Sequence, residues 1–183
     1  MTDTPSVNVL CGFELLAEAI ADSLTHRNVA ASLIHPVDIV FDADWGFALK
    51  ASLDDARPSI IITDNACPEY WEVLWDRGVT ALVARNDFTM NDLVTLILRA
   101  DKQFESGKRI KDTPYHKSEL TKRERAVFLA SVQNPSMNNA RIAQTLYLSE
   151  QTVHNHLHAI YAKLGVKNRI QLLLYYWGGL PTD

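Results

Sequence analysis

Short runs of β-branched residues alternate with amphipathic segments over the first hundred residues of the chain. The apolar runs predict strands at residues 7–11, 29–34, 38–41, 60–63 and 79–84. The amphipathic segments predict helices at residues 13–25, 45–56, 69–77 and 91–104. The run at 60–63 is entirely β-branched, as expected of a strand buried on both faces. Strands that alternate with helices predict an α/β domain with a mostly parallel sheet.

The pattern changes after a polar stretch that contains Gly107 and Pro114. From Leu120 onward the strand signals stop, and four helical segments follow. We therefore predict an α/β domain at residues 1–105, an exposed linker at 106–117 and an all-α domain at 118–183.

Local signals mark the ends of the C-terminal helices. Thr121 and Glu124 have the spacing of a capping box, in which each side chain takes the amide of the other residue. A short second helix is predicted at residues 139–146, and a tight turn follows it. Ser149 is then a good N-cap for a third helix, and Gly165 is a favourable residue just beyond its end.

The third helix separates an apolar stripe from a polar edge. The stripe follows helical spacing and consists of Val153, Leu157, Ile160 and Leu164. The polar edge lies outside this stripe and consists of His154, Asn155 and His158. A short helix, a tight turn and a core-anchored helix with an outward polar face form a helix-turn-helix, whose second helix enters the major groove of DNA. Asn155 can pair with adenine, and both histidines can donate to guanine or to phosphate.

The segment 120–169 resembles the DNA-binding domain of LuxR-type regulators. The matching positions are Leu120-Thr121, Arg123-Glu124, Asn139, Ile142-Ala143, Leu146, Leu148-Ser149, Thr152-Val153, His156, Ile160, Lys163-Leu164, Val166 and Arg169. The resemblance implies a four-helix domain that binds double-stranded DNA as a homodimer, with the last helix, near residues 168–177, often in the dimer contact. This sequence departs from the family at His154 and His158, where lysines are common, and at Arg141, where a glutamate is common.

From the helix faces and the resemblance we predict a set of DNA-binding side chains. Lys163 and Arg169 suit backbone phosphates, and Arg123 and Arg141 could add to them. The predicted set is Thr121, Arg123, Asn139, Ser149, Gln151, Thr152, His154, Asn155, His158, Lys163 and Arg169.

The N-terminal pattern resembles the receiver domain of NarL/FixJ-type response regulators, although it is shorter. The resemblance implies an acidic pair after the first strand that holds Mg²⁺, an aspartate that accepts phosphate, a Thr or Ser, and a lysine. Here Cys11 and Gly12 stand at the acidic pair, and Arg85 stands at the lysine position. One strand–helix unit is abbreviated or absent, which leaves four or five strands.

Two alignments to the receiver compete. In the first, residues 57–64 contain the third strand and Asp64 is the phosphoacceptor position. In the second, that segment is the fourth strand, Thr63 is the switch hydroxyl and Asp42 is the acceptor position. The predicted helix before Pro58 favours the first, and the spacing from Thr63 to Arg85 favours the second.

Both alignments lose the acidic pair, so the hypothesis is a DNA-binding transcription regulator with a receiver-like domain that works without phosphorylation. One rival is a phosphorylation-controlled response regulator with Asp64 or Asp42 as acceptor. A second is a protein-interaction adaptor that has lost DNA binding. An unidentified signalling protein or small ligand is a possible partner of the N-terminal domain.

Charge supports the division into two parts. Residues 1–101 contain 6 basic and 16 acidic residues, whereas residues 102–183 contain 12 basic and 6 acidic residues. A basic second half is compatible with a polyanionic partner. We see no membrane-length apolar run, no secretory signal and no nucleophile–base set, so we expect a cytoplasmic non-enzyme without cofactor or metal. A redox pair of Cys11 and Cys67 is a weaker alternative to two ordinary small residues.

Overall fold

The computed structural model describes residues 6–42, 46–84, 89–110 and 118–178. These residues form two compact units, one within residues 1–66 and 71–115 and the other within residues 67–70 and 116–183. The chain begins with alternating strands and helices and ends with helices alone, so the predicted fold class is confirmed. The predicted receiver position Arg85 and the predicted start of a helix at Trp45 lie outside the described residues.

A four-stranded parallel sheet forms the framework of the first unit. Its strands lie side by side in chain order: β1 (Val7–Cys11), β2 (Val37–Asp42), β3 (Ser59–Thr63) and β4 (Ala81–Ala84). The helices that alternate with them are α1 (Glu14–His26), α2 (Phe47–Lys50), α3 (Pro68–Asp76) and α4 (Met90–Phe104). Every residue of β3 is buried, as predicted for a strand covered on both faces.

The core of this unit joins one face of the sheet to the apolar stripes of two helices. α4 contributes the inward positions that its periodicity predicts, and α1 contributes two aliphatic side chains. The buried members include Ile20, Leu24, Ile39, Ile60, Ile62, Leu93, Leu96, Ile97 and Ala100.

The predicted strand at 29–34 is wrong. Residues Ala30–Ser32 form a single 3₁₀ turn instead. The carboxylate of Asp101 on α4 accepts hydrogen bonds from the amides of Ile34 (2.8 Å) and His35 (3.0 Å). An amide bonded to a side chain is not available to pair with a neighbouring strand, so this apolar segment becomes a loop anchored on α4.

The strand order identifies which unit of the receiver pattern is missing. Receivers of the flavodoxin-like class order five strands as 2-1-3-4-5. When the edge strand, the second along the chain, is removed, the neighbours that remain are those of β1, β2, β3 and β4. In the described residues, β2 therefore takes the place of the third receiver strand and β3 that of the fourth.

The predicted helix at 45–56 is wrong in its length, because only Phe47–Lys50 is helical in its described part. The guanidinium group of Arg77 donates to the carbonyl oxygens of Ala48 (2.6 Å) and Ala51 (2.8 Å). A longer helix would use those carbonyls for its own next turn. The contact that ends the helix therefore comes from a residue far along the chain.

The start of the predicted linker packs on the sheet. The amide of Ile110 donates to the carbonyl oxygen of Thr80 (2.8 Å), and Ile110 is buried. Arg109 donates to the carbonyl oxygen of Trp75 (2.8 Å). Residues 111–117 lie outside the described part of the chain.

Within the described residues 118–178, the second unit has four helices, as predicted. They are α5 (Lys122–Gln133), α6 (Asn139–Leu146), α7 (Glu150–Leu164) and α8 (Arg169–Tyr176). Their buried side chains include Val127, Phe128, Ile142, Val153, Leu157, Ile160 and Leu172. In the part of the chain that the structure describes, no helix combines the length and apolarity needed to span a membrane.

Candidate nucleic-acid interface

The helix α7 is held at both ends by the residues that the sequence predicts. The hydroxyl of Ser149 accepts a hydrogen bond from the amide of Thr152 at 3.1 Å, which caps the N-terminus. At the other end Gly165 has φ +66°, and its amide donates to the carbonyl oxygen of Tyr161. The length and direction of α7 are thus fixed locally.

The apolar stripe of α7 anchors the helix in the four-helix core. Val153 and Ile160 are fully buried, Leu157 is nearly so, and Leu164 is half-buried. This face packs against α5 and α6. Because a buried aliphatic stripe sets the rotation of a helix about its axis, it also sets which residues face solvent.

The polar edge of α7 is exposed, as predicted. His154, Asn155 and His158 all point to solvent, and Gln151 on the same face is exposed too. The side-chain amide of Gln151 donates to Oδ1 of Asn155 at 3.0 Å, which orients the Asn155 amide. This edge therefore presents donors and acceptors in a regular arrangement, as base readout requires.

The helix α6 and the turn after it precede α7 in the helix-turn-helix. Asn138 caps α6 by accepting the amide of Arg141 at 2.9 Å. Asn139 is half-buried in the first turn of α6. The turn between α6 and α7 places Tyr147 in the left-handed region (φ 55°) with 96% of its side chain exposed. Tyr147 is absent from the predicted DNA-binding set, although an aromatic residue in a tight turn between two helices is visible in the sequence.

Two predicted phosphate ligands have partners inside the unit. Nζ of Lys163 lies 2.7 Å from Oε2 of Glu124. A guanidinium nitrogen of Arg169 donates to the carbonyl oxygens of Ser131 (3.1 Å) and Asn134 (3.4 Å) at the end of α5. Both side chains therefore tie helices together, a role that only long-range contacts reveal.

The capping box at the start of α5 forms as predicted. The hydroxyl of Thr121 accepts the amide of Glu124 (3.3 Å), and the Glu124 carboxylate accepts the amide of Thr121 (2.7 Å). Hydrogen bonds from Lys163 and from the Thr121 amide lower the pKa of Glu124 to about 2. Arg123, in the same turn, is exposed.

In the first unit, the two candidate acceptor residues lie in different environments. Asp42 is buried, and its two carboxylate oxygens accept the amide of Ala48 and the hydroxyl of Thr63, each at 2.9 Å. Asp64 is exposed. The pairing of Asp42 with Thr63 across β2 and β3 joins the residues that the second alignment assigns to acceptor and switch.

Both cysteines are free thiols. Cys11 is half-buried at the end of β1, and its sulfur accepts the amide of Phe13 at 3.5 Å. Cys67 donates to the Glu69 carboxylate, and burial together with that negative charge raises the pKa of the Cys67 thiol. A raised pKa disfavours the reactive thiolate form.

Comparison with known proteins shows a family match for the second unit. Residues 118–176 match the family described as bacterial regulatory proteins, luxR family. Over 55 residues the chain is 47% identical to the spore germination protein GerE of Bacillus subtilis (strain 168). That alignment covers 30% of this chain and 72% of GerE.

Solved structures show the same order of folds over nearly the full length. A complex of the two-component response regulator RcsB with DNA has a TM-score of 0.51 at 18% identity, covering 98% of this chain and 100% of that one. RcsB from Salmonella enterica serovar Typhimurium, bound to the promoter P1flhDC with a phosphomimetic, has a TM-score of 0.52 at 17% identity, covering 97% and 100%. These likenesses show a receiver-like sheet followed by a helix-turn-helix unit, and the match to GerE decides the assignment: the chain belongs to the LuxR family of bacterial regulatory proteins.

Proposed function

We propose that this chain is a transcription regulator that binds double-stranded DNA as a homodimer, and that its N-terminal unit works without phosphorylation. The receiver-like domain is assigned to residues 1–105, the linker to 106–117 and the DNA-binding domain to 118–183. One observation supports the proposal above all: α7 buries its aliphatic stripe and leaves His154, Asn155 and His158 exposed.

The exposed edge divides the proposed contacts by role. Gln151, His154, Asn155 and His158 are proposed to read base edges in the major groove. Contacts to the sugar–phosphate backbone are proposed for Thr121, Arg123, Asn139, Ser149 and Thr152. Lys163 and Arg169 remain in the proposed set, although each would have to exchange a present partner for a phosphate.

The experiment is selection of bound fragments from bacterial genomic DNA, followed by affinity measurements on the selected site and on a scrambled site at several salt concentrations. We expect preference for the selected site and an affinity that falls steeply with salt. An adaptor that has lost DNA binding would bind neither duplex even at low salt.

Dimerisation is proposed through α8 and has its own support. Ile170 in the first turn of α8 is 69% exposed, so a large aliphatic side chain is available on the outer face of this helix. Structures of RcsB, whose fold this chain shares, include two RcsB dimers bound to two DNAs. A dimer would place two copies of α7 about one helical turn apart on the DNA. Replacement of Ile170 by Glu should lower the dimer fraction on DNA in sedimentation experiments.

The residues at the carboxyl ends of the strands support the proposed independence from phosphorylation. The strand order favours Asp42 as the counterpart of the acceptor, but the two positions that match the acidic pair of a receiver are Cys11 and Gly12 at the end of β1. Mg²⁺ prefers several oxygen ligands, and neither residue offers a side-chain oxygen. Incubation with acetyl phosphate and Mg²⁺ should leave the protein unlabelled by intact mass. Stoichiometric labelling of Asp42 or Asp64 would contradict the proposal.

A further inference from the structure

Two imidazole rings lie side by side on the exposed edge of α7. His154 and His158 are one helical turn apart, and their Nε2 atoms are 3.2 Å from each other. Both side chains are exposed. At this distance one ring donates a hydrogen bond to the other, so the two imidazoles already act as a pair.

The distance between the two Nε2 atoms is close to the distance between two nitrogen ligands of one metal ion. Two nitrogens at about 2.0–2.1 Å from a tetrahedral Zn²⁺ lie about 3.3–3.4 Å apart. The 3.2 Å between the Nε2 atoms is close to that span, so a metal ion can replace the hydrogen bond once the two rings turn and both nitrogens face the ion. Imidazole is a preferred ligand of zinc, copper and nickel.

The helix itself holds the pair in place. Val153 and Leu157, which alternate with the two histidines along α7, are buried and fix the backbone beneath them. A rigid support lowers the conformational entropy lost when a ligand binds. The pair therefore needs only side-chain adjustment, not backbone movement.

The charges near the pair are compatible with a bound cation. One turn before His154 stands Glu150, and one turn after His158 stands the uncharged Ala162. The ammonium group of Lys163 is held by Glu124 on α5. On α7, then, a carboxylate and no unpaired lysine lies within one turn of the histidines.

We propose that His154 and His158 bind a divalent transition-metal ion of the zinc class, with water in the remaining positions, and that a bound ion lowers the affinity for DNA. No group of three His, Cys, Asp or Glu ligands occurs among the described residues, so this is an open two-ligand site rather than a closed structural one. The second half of the proposal rests on the proposed function, since it requires that this edge touches DNA.

Zinc chloride is titrated into the full, tag-free chain in chelator-treated buffer without DNA, with binding followed by calorimetry and by the histidine ring signals in NMR spectra. We expect one saturable site that shifts the rings of His154 and His158. H154Q and H158Q should each weaken binding at least about tenfold, since losing a direct ligand should matter no less than losing an outer-shell partner. H156Q is the matched control, because His156 lies on the same helix between them, and it should bind as the parent does.

The DNA arm separates the two claims. Zinc should weaken binding of the parent chain to its selected site, a chelator should restore it, and H158Q should be insensitive to zinc. Absence of saturable zinc binding, or binding unchanged in both pair variants, overturns the metal site. Zinc binding without any effect on DNA affinity overturns the proposed competition. If the chain binds zinc but no DNA, the metal site stands and the proposed function fails.

Discussion

Lys163 and Glu124 join the last turn of α7 to the first turn of α5 through an ion pair in which Nζ and Oε2 are 2.7 Å apart. Glu124 is buried and also closes the capping box with Thr121. The orientation of α7 is thus linked to the electrostatics of a neighbouring helix terminus. Lys163 is also a proposed DNA contact, so its effect on stability must be measured separately from its effect on DNA binding.

Replacement of Lys163 by Met should destabilise the second unit by about 1–2 kcal/mol at neutral pH, because the variant leaves a buried carboxylate without its cation. The measurement is native-state hydrogen exchange of amides in α5 and α7. Lys167→Met, an exposed lysine beyond α7, is the matched control and should change little.

The same pair predicts how the parent chain responds to acid. The folded-state pKa of Glu124 lies at about 2, below its ordinary value of 4.5, so its stabilising contribution is complete above pH 4.5. That contribution is lost as the pH falls from 4.5 toward 2. Lys163→Met should therefore flatten the acid dependence of exchange in this window. An unchanged slope would mean that Lys163 does not lower the pKa of Glu124.

Replacement of Asn155 by Ala should relax base preference. The change should cost about 1–3 kcal/mol of affinity at the selected site and little on a scrambled duplex, because an amide bonded to a base edge carries sequence information. Fluorescence anisotropy with both duplexes measures this. Equal losses on both would assign Asn155 to the phosphate backbone instead.

Replacement of Arg123 by Gln tests a contact of the other kind. Arg123 is exposed at the start of α5, so its loss should weaken binding to all sequences and lower the slope of log affinity against log salt by about 0.9. Lys108→Gln, an exposed cation of the first unit, is the comparison variant. A slope equal to that of the parent would remove Arg123 from the interface.

Replacement of Asp101 by Ala should destabilise the first unit. The variant leaves the amides of Ile34 and His35 without their acceptor, which should cost about 2–3 kcal/mol. Urea unfolding followed by tryptophan fluorescence measures the loss. Lys102→Ala, the exposed neighbour, should stay within about 0.5 kcal/mol of the parent; a similar loss there would show that the effect is not specific to the carboxylate.

The C-terminal helices could be predicted because their signals are local. The cap at Ser149, the left-handed Gly165 and the buried positions of α7 all depend on residues within a few turns of one another. The exposed edge follows from the same periodicity. What the sequence could not show is that Lys163 and Arg169 are engaged by α5, since their partners lie more than thirty positions away along the chain.

The two wrong elements of the first unit fail for the same reason. The segment at 29–34 has strand-like composition, but Asp101, 67 positions after Ile34, takes its backbone donor. The helix at 45–56 has helical composition, but Arg77, 29 positions after Ala48, takes its carbonyl. In each case one long-range side chain outweighs a local preference that is worth at most about 1 kcal/mol per residue.

β1 lies at an edge of the four-stranded sheet, whereas in the five-stranded receiver order the first strand has a neighbour on each side. In the described residues β1 pairs with β2 alone, so its other side is a row of amides and carbonyls without strand partners. Val7 and Val9 point into the core from this strand, and a charge there, the usual defence against chain-to-chain pairing, would disrupt packing. β1 has five residues, an ordinary strand length. This edge is therefore a place where a strand of another chain can pair with the sheet.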